Sequence, residues 1–210
     1  MSVTTVNNIT FKQVFLNNRV LLLKIAIHLL SFLPLLALYV LAFSDQLGAD
    51  PVKEVIHFTG IGSFNILLIS LALTPLAKKY RQGYLLQSRR LLGLYSFTYA
   101  MCHLLSFLAF EVQFDFALFV DEIIERPYIT VGMVALLILF ALALTSVNTL
   151  KRKMKKNWQR LHNGVYGAVL LIALHFLWSV KSEIIEPGIY AVITLFLISL
   201  RRDKIKRWFK

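Results

Sequence analysis

The sequence is poor in the residues on which several common kinds of protein site depend. Its 210 residues include a single cysteine, Cys102, which excludes an internal disulfide and any iron–sulfur or zinc site made of cysteines alone. The long apolar segments contain no carboxylate and no central lysine or arginine, groups that a proton or ion pathway usually needs. No glycine-rich nucleotide fingerprint is present, and we expect neither a cleavable signal sequence nor an appended flavin or NAD domain.

Apolar residues, in contrast, are abundant: 58% of the chain is hydrophobic and the mean hydropathy is +0.67. A soluble domain of this size could not bury so much apolar surface, and the apolar blocks have the length of about 20 residues that a membrane-crossing helix needs. Because lipid offers no hydrogen bonds to the backbone, we expect an all-α polytopic membrane helix bundle. The six predicted transmembrane helices are Leu21–Phe43, Phe58–Ala77, Leu91–Phe110, Tyr128–Thr145, Leu161–Trp178 and Gly188–Leu200.

The charged residues lie in or next to the segments that connect these spans, and the net charge of these segments alternates in sign. The N-terminal segment through Lys24, the second loop, the fourth loop and the C-terminal tail carry +3, +5, +6 and +5, whereas the first, third and fifth loops carry −2, −4 and −1. Since lysine and arginine are retained inside, both termini are predicted to be cytoplasmic, and the net charge of +12 indicates topology and lipid contact rather than nucleic-acid binding. We expect a cytoplasmic segment at 1–19, one membrane domain at 20–200 and a basic cytoplasmic tail at 201–210.

The third loop, Phe114–Arg126, has a pattern of its own. Its apolar residues recur at helical spacing, with acidic residues opposite them. This pattern predicts either a short helix on the outer membrane surface, where a partner protein could dock, or an ordinary interfacial linker. The apolar residues are Phe116, Phe119, Val120, Ile123 and Ile124, and the acidic ones are Asp121, Glu122 and Glu125.

All five histidines fall within or at the end of a predicted span. An ionisable side chain is costly in the membrane and therefore usually has a structural or functional role there. His103 and His175 lie about 18 and 21 Å along two helices that run in the same direction, so their imidazoles reach a similar depth. A haem held between two bundle helices requires this arrangement; the alternative is neutral histidine bonded across helices. Small residues share their faces and would leave room for a porphyrin: Gly93, Ala100, Gly164 and Ala168.

His162 lies 13 residues before His175, at the inner end of the same span. Its depth would suit a second, inner haem, but 13 ideal helical steps turn it to nearly the opposite face. Either a second haem sits elsewhere, or the helix is irregular near Asn163 and Gly164. Helix capping or contact with lipid headgroups is the alternative role for His162.

The remaining histidines are expected to be structural. His57 would act as a cap or lie at the interface, and His28 would donate to a carbonyl freed by Pro34. Arg89 and Arg90, at the inner start of the third span, could contact haem propionates or a quinone headgroup. Positive-inside anchoring explains either arginine alone.

Several runs of sequence resemble the MsrQ family, formerly called YedZ. They occur in the family's order over about residues 20–200: LGADPVKEVIHFTG, LTPLA, RRLLGLYSFTYAMCHL, ERPYITVG, LALTS, WQRLHNGVY and LHFLWSVK. The family belongs to the ferric-reductase-like transmembrane group. It supplies the haem subunit of a bacterial inner-membrane system that repairs methionine sulfoxide in periplasmic proteins.

The resemblance implies one or two haem b groups, with His103, His162 and His175 as iron ligands. It also implies a periplasmic molybdopterin partner, MsrP, that performs the catalysis on the sulfoxide, and electrons from the quinone pool or a cytosolic flavin reductase. FMN is a further cofactor associated with the family. An electron-transfer subunit is thus the expected function; the alternatives are a small-solute transporter or channel with structural histidines, and a scaffold that anchors a partner.

Overall fold

The structure, a computed structural model, describes residues 11–180 and 184–202, with side chains from Asn18 onward. Within these ranges the chain forms nine α-helices. They are α1 (Phe11–Phe43), α2 (Pro51–Lys79), α3 (Arg89–Ser106), α4 (Phe116–Glu125), α5 (Pro127–Leu144), α6 (Asn148–Met154), α7 (Lys156–His162), α8 (Val165–Ser179) and α9 (Ile185–Ser199). A 3₁₀ segment at Gly83–Ser88 leads into α3, and a π-helical turn at Phe107–Glu111 follows it.

Five helical segments are long and apolar enough to cross a membrane. They are Asn18–Phe43, Pro51–Lys79, Gly83–Glu111, Pro127–Leu144 and Lys156–Ser179. These segments confirm the polytopic all-α bundle, and each overlaps one of the first five predicted spans. The sixth predicted span corresponds to α9, whose 15 residues are fewer than the roughly 20 that a straight crossing needs. Parts of the predicted N-terminal segment (1–10), fifth loop (181–183) and tail (203–210) lie outside the described residues.

Four helices, α2, α3, α5 and α8, form the centre of the bundle. The most extensive contacts join α2 to α3 and α5 to α8, while α1 packs on the first pair and α9 on the second. Their shared core is apolar and consists of Phe64, Leu67, Leu68, Leu71, Leu139, Tyr166, Ala168, Val169 and Ala173. The two helix pairs thus face each other across this core.

Small residues bring α2 and α3 close together. The Ser63 hydroxyl donates to the Ser96 carbonyl (2.9 Å), and the Ser96 hydroxyl donates back to the Ser63 carbonyl (3.0 Å). Both side chains are buried, so the two bonds satisfy polar groups that lipid cannot. Small polar residues at such contacts let transmembrane backbones approach closely.

Hydroxyl groups attach α1 to α3. The Tyr99 hydroxyl donates to the Ser31 carbonyl (2.7 Å), and His28 Nδ1 lies 2.6 Å from the Tyr95 hydroxyl. The expectation that His28 bonds a carbonyl freed by Pro34 is therefore wrong. A tyrosine on the neighbouring helix is within reach and takes that bond instead.

The end of α9 is fixed by Arg201. Pro75 has no N–H, so the Leu71 carbonyl one turn earlier lacks its usual helical donor. Arg201 Nη2 donates to that carbonyl (2.7 Å) and Nη1 donates to the Tyr166 hydroxyl (3.0 Å). Arg201 is only 8% exposed, so the first residue of the predicted basic tail belongs to the packed bundle.

The helical path through α7 and α8 is broken at Asn163 and Gly164, where the two helices are separated by a turn. The N–H groups of Gly164 and Tyr166 bond carbonyls three residues back rather than four. The helix is therefore irregular here, which was one of the two alternatives left open by the angular position of His162.

The third loop contains a helix, α4, which agrees with the predicted short helix rather than with an ordinary linker. Asp115 caps it by accepting from the N–H groups of Ala117 and Leu118 (2.9 and 3.1 Å). Phe116 and Ile124 are exposed, whereas the ring of Phe119 packs near Phe107. The amphipathic face therefore turns one aromatic side chain toward the bundle.

Candidate functional site

A cavity of about 720 Å³ lies among α2, α3, α5 and α8. This volume is within the range of about 300–1,000 Å³ typical of cofactor and ligand sites. Its lining is mainly apolar, but it includes His57, His103 and His175 together with Gly60, Ala100 and Gly132. The helix pair α2–α3 contributes one side of the cavity, and α5–α8 contributes the other.

His103 and His175 meet in this cavity. Their ring centroids are 6.2 Å apart, and the ring planes are nearly perpendicular at 87°. A metal bonded to one nitrogen of each of two opposed imidazoles, at about 2 Å per bond, separates the ring centroids by about 6 Å. The predicted match in depth is therefore confirmed, and the spacing suits a single metal centre between the two rings.

Both rings are held from behind by backbone carbonyls. His103 Nδ1 donates to the Ile56 carbonyl on α2 (2.9 Å), and His175 Nδ1 donates to the Tyr128 carbonyl on α5 (2.7 Å). A carbonyl can only accept, so each Nδ1 carries the hydrogen and each Nε2 keeps its lone pair. A metal-binding histidine commonly has this arrangement, with its other nitrogen donating to a carbonyl that fixes tautomer and orientation.

These residues fit a haem better than a bare metal ion. Among the described residues, no group of three or more histidine, cysteine, aspartate or glutamate side chains could hold an ion by itself. A haem iron needs only two axial ligands, because the porphyrin supplies four nitrogens. Two opposed imidazoles in a ligand-sized, largely apolar cavity meet that requirement.

The cavity carries charged groups toward the end at which α2 begins and α3 ends. Lys53, Glu111, Arg126 and Glu186 contribute to its lining, and Phe119 of α4 borders it. Arg126 Nε also pairs with Glu122 at 3.0 Å, on the last turn of α4. By the predicted topology this end faces the outer side of the membrane, so α4 lies next to the outer part of the cavity.

Comparison with known proteins identifies the family. The family model described as "Ferric reductase like transmembrane component" matches residues 59–173. The protein-methionine-sulfoxide reductase heme-binding subunit MsrQ of Salmonella paratyphi B (strain ATCC BAA-1250 / SPB7) is 44% identical over 189 residues, which cover 90% of this chain and 95% of the relative. The proteins of the same name from Salmonella newport (strain SL254) and Salmonella heidelberg (strain SL476) match equally well.

The chain belongs to the MsrQ family. The resemblance noted in the sequence is confirmed, and the chain is an integral membrane protein of the ferric-reductase-like group. His103 and His162 fall within the matched range, and His175 lies two residues past its end. No solved structure matches the chain at a comparable level.

His162, the third histidine that the MsrQ resemblance singles out, lies apart from the other two. Its Nε2 is 3.1 Å from the Thr145 hydroxyl, and its ring stacks on Trp158 with centroids 3.9 Å apart. Thr145 uses its only hydroxyl hydrogen on the Ala141 carbonyl (2.7 Å), so His162 Nε2 is the donor. His162 does not line the cavity, and its role as an iron ligand stays a prediction.

Arg89 and Arg90 also lie outside the cavity, at the opposite end of α3 from His103, about 20 Å along the helix. Arg90 donates to the Asn148 side chain (3.1 Å). Arg89 lies close enough to Arg201 for their charges to interact, and its buried Nε has no hydrogen-bond partner among the residues that the structure describes. Contacts of these arginines to a propionate or quinone would thus belong to an inner site.

Several residues of the site were not found from the sequence of this MsrQ-family chain. His57 was expected to be a cap or an interfacial residue, but it lines the cavity, 6.4 Å from the Phe176 ring. Gly60 and Gly132 were not singled out. Of the small residues expected beside the ligands, Ala100 lines the cavity, whereas Ala168 is packed in the apolar core. A glycine one helical turn after a backbone carbonyl indicates an imidazole bonded to that carbonyl only when the helix packed against it is known.

Proposed function

We propose that the chain is a haem b electron-transfer subunit of a bacterial inner membrane. It takes electrons from the quinone pool or a cytosolic flavin reductase and delivers them to a periplasmic molybdopterin methionine sulfoxide reductase, MsrP. The MsrQ relatives are named as heme-binding subunits of a protein-methionine-sulfoxide reductase. Reduction of the sulfoxide is the work of the partner, so the contribution of this chain is a redox path across the membrane.

The observation that carries the proposal is the opposed pair His103 and His175. Two imidazoles from different helices, each with Nδ1 on a carbonyl and an Nε2 lone pair left for metal, line one cavity. Ligation by both leaves no open iron position, which suits electron transfer rather than oxygen activation. Haem held there would supply the one-electron redox chemistry of iron.

The surrounding residues hold two of the helices together and shield one side of the cavity. The Ser63–Ser96 bonds fix α2 against α3, so the helices carrying the Ile56 carbonyl and His103 cannot slide apart. The apolar core beneath the cavity, with Phe64 and Leu139, excludes water from one side. A low dielectric and fixed ligands reduce the reorganisation that accompanies a change of charge.

The proposal includes a second haem near the inner face, with His162 as a ligand and Arg89 and Arg90 as contacts to its propionates or to a quinone headgroup. The family resemblance supports these assignments. Ligation through Nε2 requires His162 to exchange its bond with Thr145, an exchange that His103 and His175 do not need. No residue is assigned to FMN, the other cofactor that the resemblance implies.

The test is a stepwise redox experiment on the full-length protein in lipid nanodiscs without oxygen. A quinol, or NADH with a flavin reductase and FMN, is added first, and haem absorbance is followed. Purified MsrP and a methionine sulfoxide peptide are then added separately and together. We expect a reduced haem spectrum after the first addition and reoxidation only when partner and sulfoxide are both present.

The controls separate this function from the alternatives. His103→Ala should lose the signal of the haem held with His175 and, with it, the reoxidation by the partner, whereas His28→Ala, which changes a histidine outside the cavity, should show both. Colourless wild-type protein that carries a solute into liposomes would instead support a transporter. Repair activity in cells that survives His103→Ala would support a scaffold.

A further inference from the structure

The two sides of the cavity repeat one arrangement. In each, a histidine Nδ1 donates to a backbone carbonyl 47 residues earlier in the chain: His103 to Ile56 and His175 to Tyr128. In each, the residue one helical turn after that carbonyl is a glycine, Gly60 on α2 and Gly132 on α5. The helix pairs α2–α3 and α5–α8 therefore present their imidazoles through the same local construction.

Each glycine lies directly against the imidazole ring that is bonded to its helix. A methyl group at Gly132 would be 2.7 Å from His175 Nδ1 and 2.9 Å from Cε1, and one at Gly60 would be 3.0 Å and 3.1 Å from the same atoms of His103. Ordinary contacts between such atoms begin at about 3.5 Å. Any side chain at either position would therefore push the ring away from its carbonyl.

The reason lies in helix geometry. The carbonyl of residue i and the residue at i+4 lie on the same face of a helix, so a ring that reaches the carbonyl must pass over residue i+4. Only glycine leaves that space open. Gly60 and Gly132 are thus the positions at which the neighbouring helix controls how near each Nδ1 comes to its acceptor.

We propose that Gly60 and Gly132 are positioning residues that set the two Nδ1–H···O=C bonds and, through them, the electron donation of His103 and His175 to a haem iron. The inference rests on the proposed function of the site and adds residues that do not touch the cofactor iron. A donated Nδ1–H bond makes an imidazole a stronger base and stabilises the ferric state. Weakening it should raise the midpoint potential.

The two positions should not be equal. The His175 bond is shorter than the His103 bond (2.7 against 2.9 Å), and the space at Gly132 is tighter than at Gly60. Alanine at Gly132 therefore requires the larger displacement of its ring. A graded response, with Gly132→Ala exceeding Gly60→Ala, is what this geometry predicts.

The experiment compares Gly132→Ala, Gly60→Ala and the control Gly188→Ala in the purified full-length protein. Gly188 is also helical, but a methyl group there meets no atom of the described part of the chain within 4 Å. The readouts are haem per chain, the midpoint potential from absorbance titration and the electron paramagnetic resonance of ferric low-spin haem. We expect Gly132→Ala to keep haem but to shift the ferric-to-ferrous equilibrium about tenfold toward the ferrous state, which raises the midpoint potential by about 59 mV for one electron. Gly60→Ala should change it less, and Gly188→Ala should match wild type.

Unchanged potentials and resonance spectra in both cavity variants, with haem retained, would overturn the inference and leave the proposed function intact. So would loss of haem in Gly132→Ala combined with wild-type behaviour in Gly60→Ala, because the glycine would then serve only packing. If Gly132→Ala does not accumulate, the shift or its absence in Gly60→Ala decides. Failure of the proposed function has a different signature, namely wild-type protein without haem.

Discussion

The imidazole planes of His103 and His175 are nearly perpendicular, with 6.2 Å between the ring centroids, although the two residues belong to different helix pairs. Each is attached from behind to the partner helix of its own pair, His103 to α2 and His175 to α5. The distance between the rings is therefore set by how α2–α3 packs against α5–α8. This coupling makes the site sensitive to the packing of the whole bundle.

The topology can be tested by labelling single cysteines in whole cells. With Cys102 replaced by alanine, a cysteine at Gly48 lies between α1 and α2, and one at Arg152 lies in α6. The alternating loop charges predict that Gly48→Cys reacts with a membrane-impermeant maleimide and that Arg152→Cys reacts only after lysis. Labelling of Arg152→Cys in intact cells would show that the predicted orientation is wrong.

The Arg201 contact predicts a specific energetic coupling with Pro75. Arg201→Ala should lower the free energy of unfolding by about 1–2 kcal/mol, because the Leu71 carbonyl and Tyr166 hydroxyl lose a charged donor. In a Pro75→Ala background the loss should be smaller, since the new backbone N–H can reach the Leu71 carbonyl. The measurement is unfolding in mixed detergent micelles, analysed as a double-mutant cycle.

The control for that cycle is Arg152→Ala, which removes an exposed arginine on α6. Its unfolding free energy should stay close to wild type in both backgrounds. Equal costs of Arg201→Ala with and without Pro75 would mean that the Leu71 bond contributes nothing measurable.

Much of the bundle could be predicted because its signals are local. Long apolar runs locate five membrane-crossing segments, and the constant helical rise gives His103 and His175 a common depth. The break at Asn163 and Gly164 was one of two alternatives that the sequence offered, since an ideal helix turns His162 away from His175. Each of these features follows from the residues of a single helix.

The remainder depends on which helices are neighbours. The histidine Nδ1 atoms reach the carbonyls of Ile56 and Tyr128 only because α3 packs on α2 and α8 packs on α5. The same packing is what requires glycine at positions 60 and 132. The burial of Arg201 likewise follows from a free carbonyl on a different helix. A sequence pattern marks the ends of helices but does not show which faces meet.

The inner site is tested by His162→Ala. If His162 binds a second haem, its loss should lower the haem-to-chain ratio from two to one while the spectrum of the haem at His103 and His175 persists. Pyridine haemochrome titration against protein mass gives the ratio. Thr145→Val, which removes only the hydroxyl bonded to His162 Nε2, is the companion variant and should keep both haems. An unchanged ratio in His162→Ala would remove His162 from the ligand set.

The central claim is that His103 and His175 hold one haem between them. The most direct measurement is the reduced-minus-oxidised absorbance spectrum, with haem per chain, of purified His103→Ala and His175→Ala beside wild type and His28→Ala. Each cavity variant should lose the low-spin spectrum of the same haem, whereas His28→Ala should retain it. Full haem content and an unchanged low-spin spectrum in either cavity variant would contradict the claim.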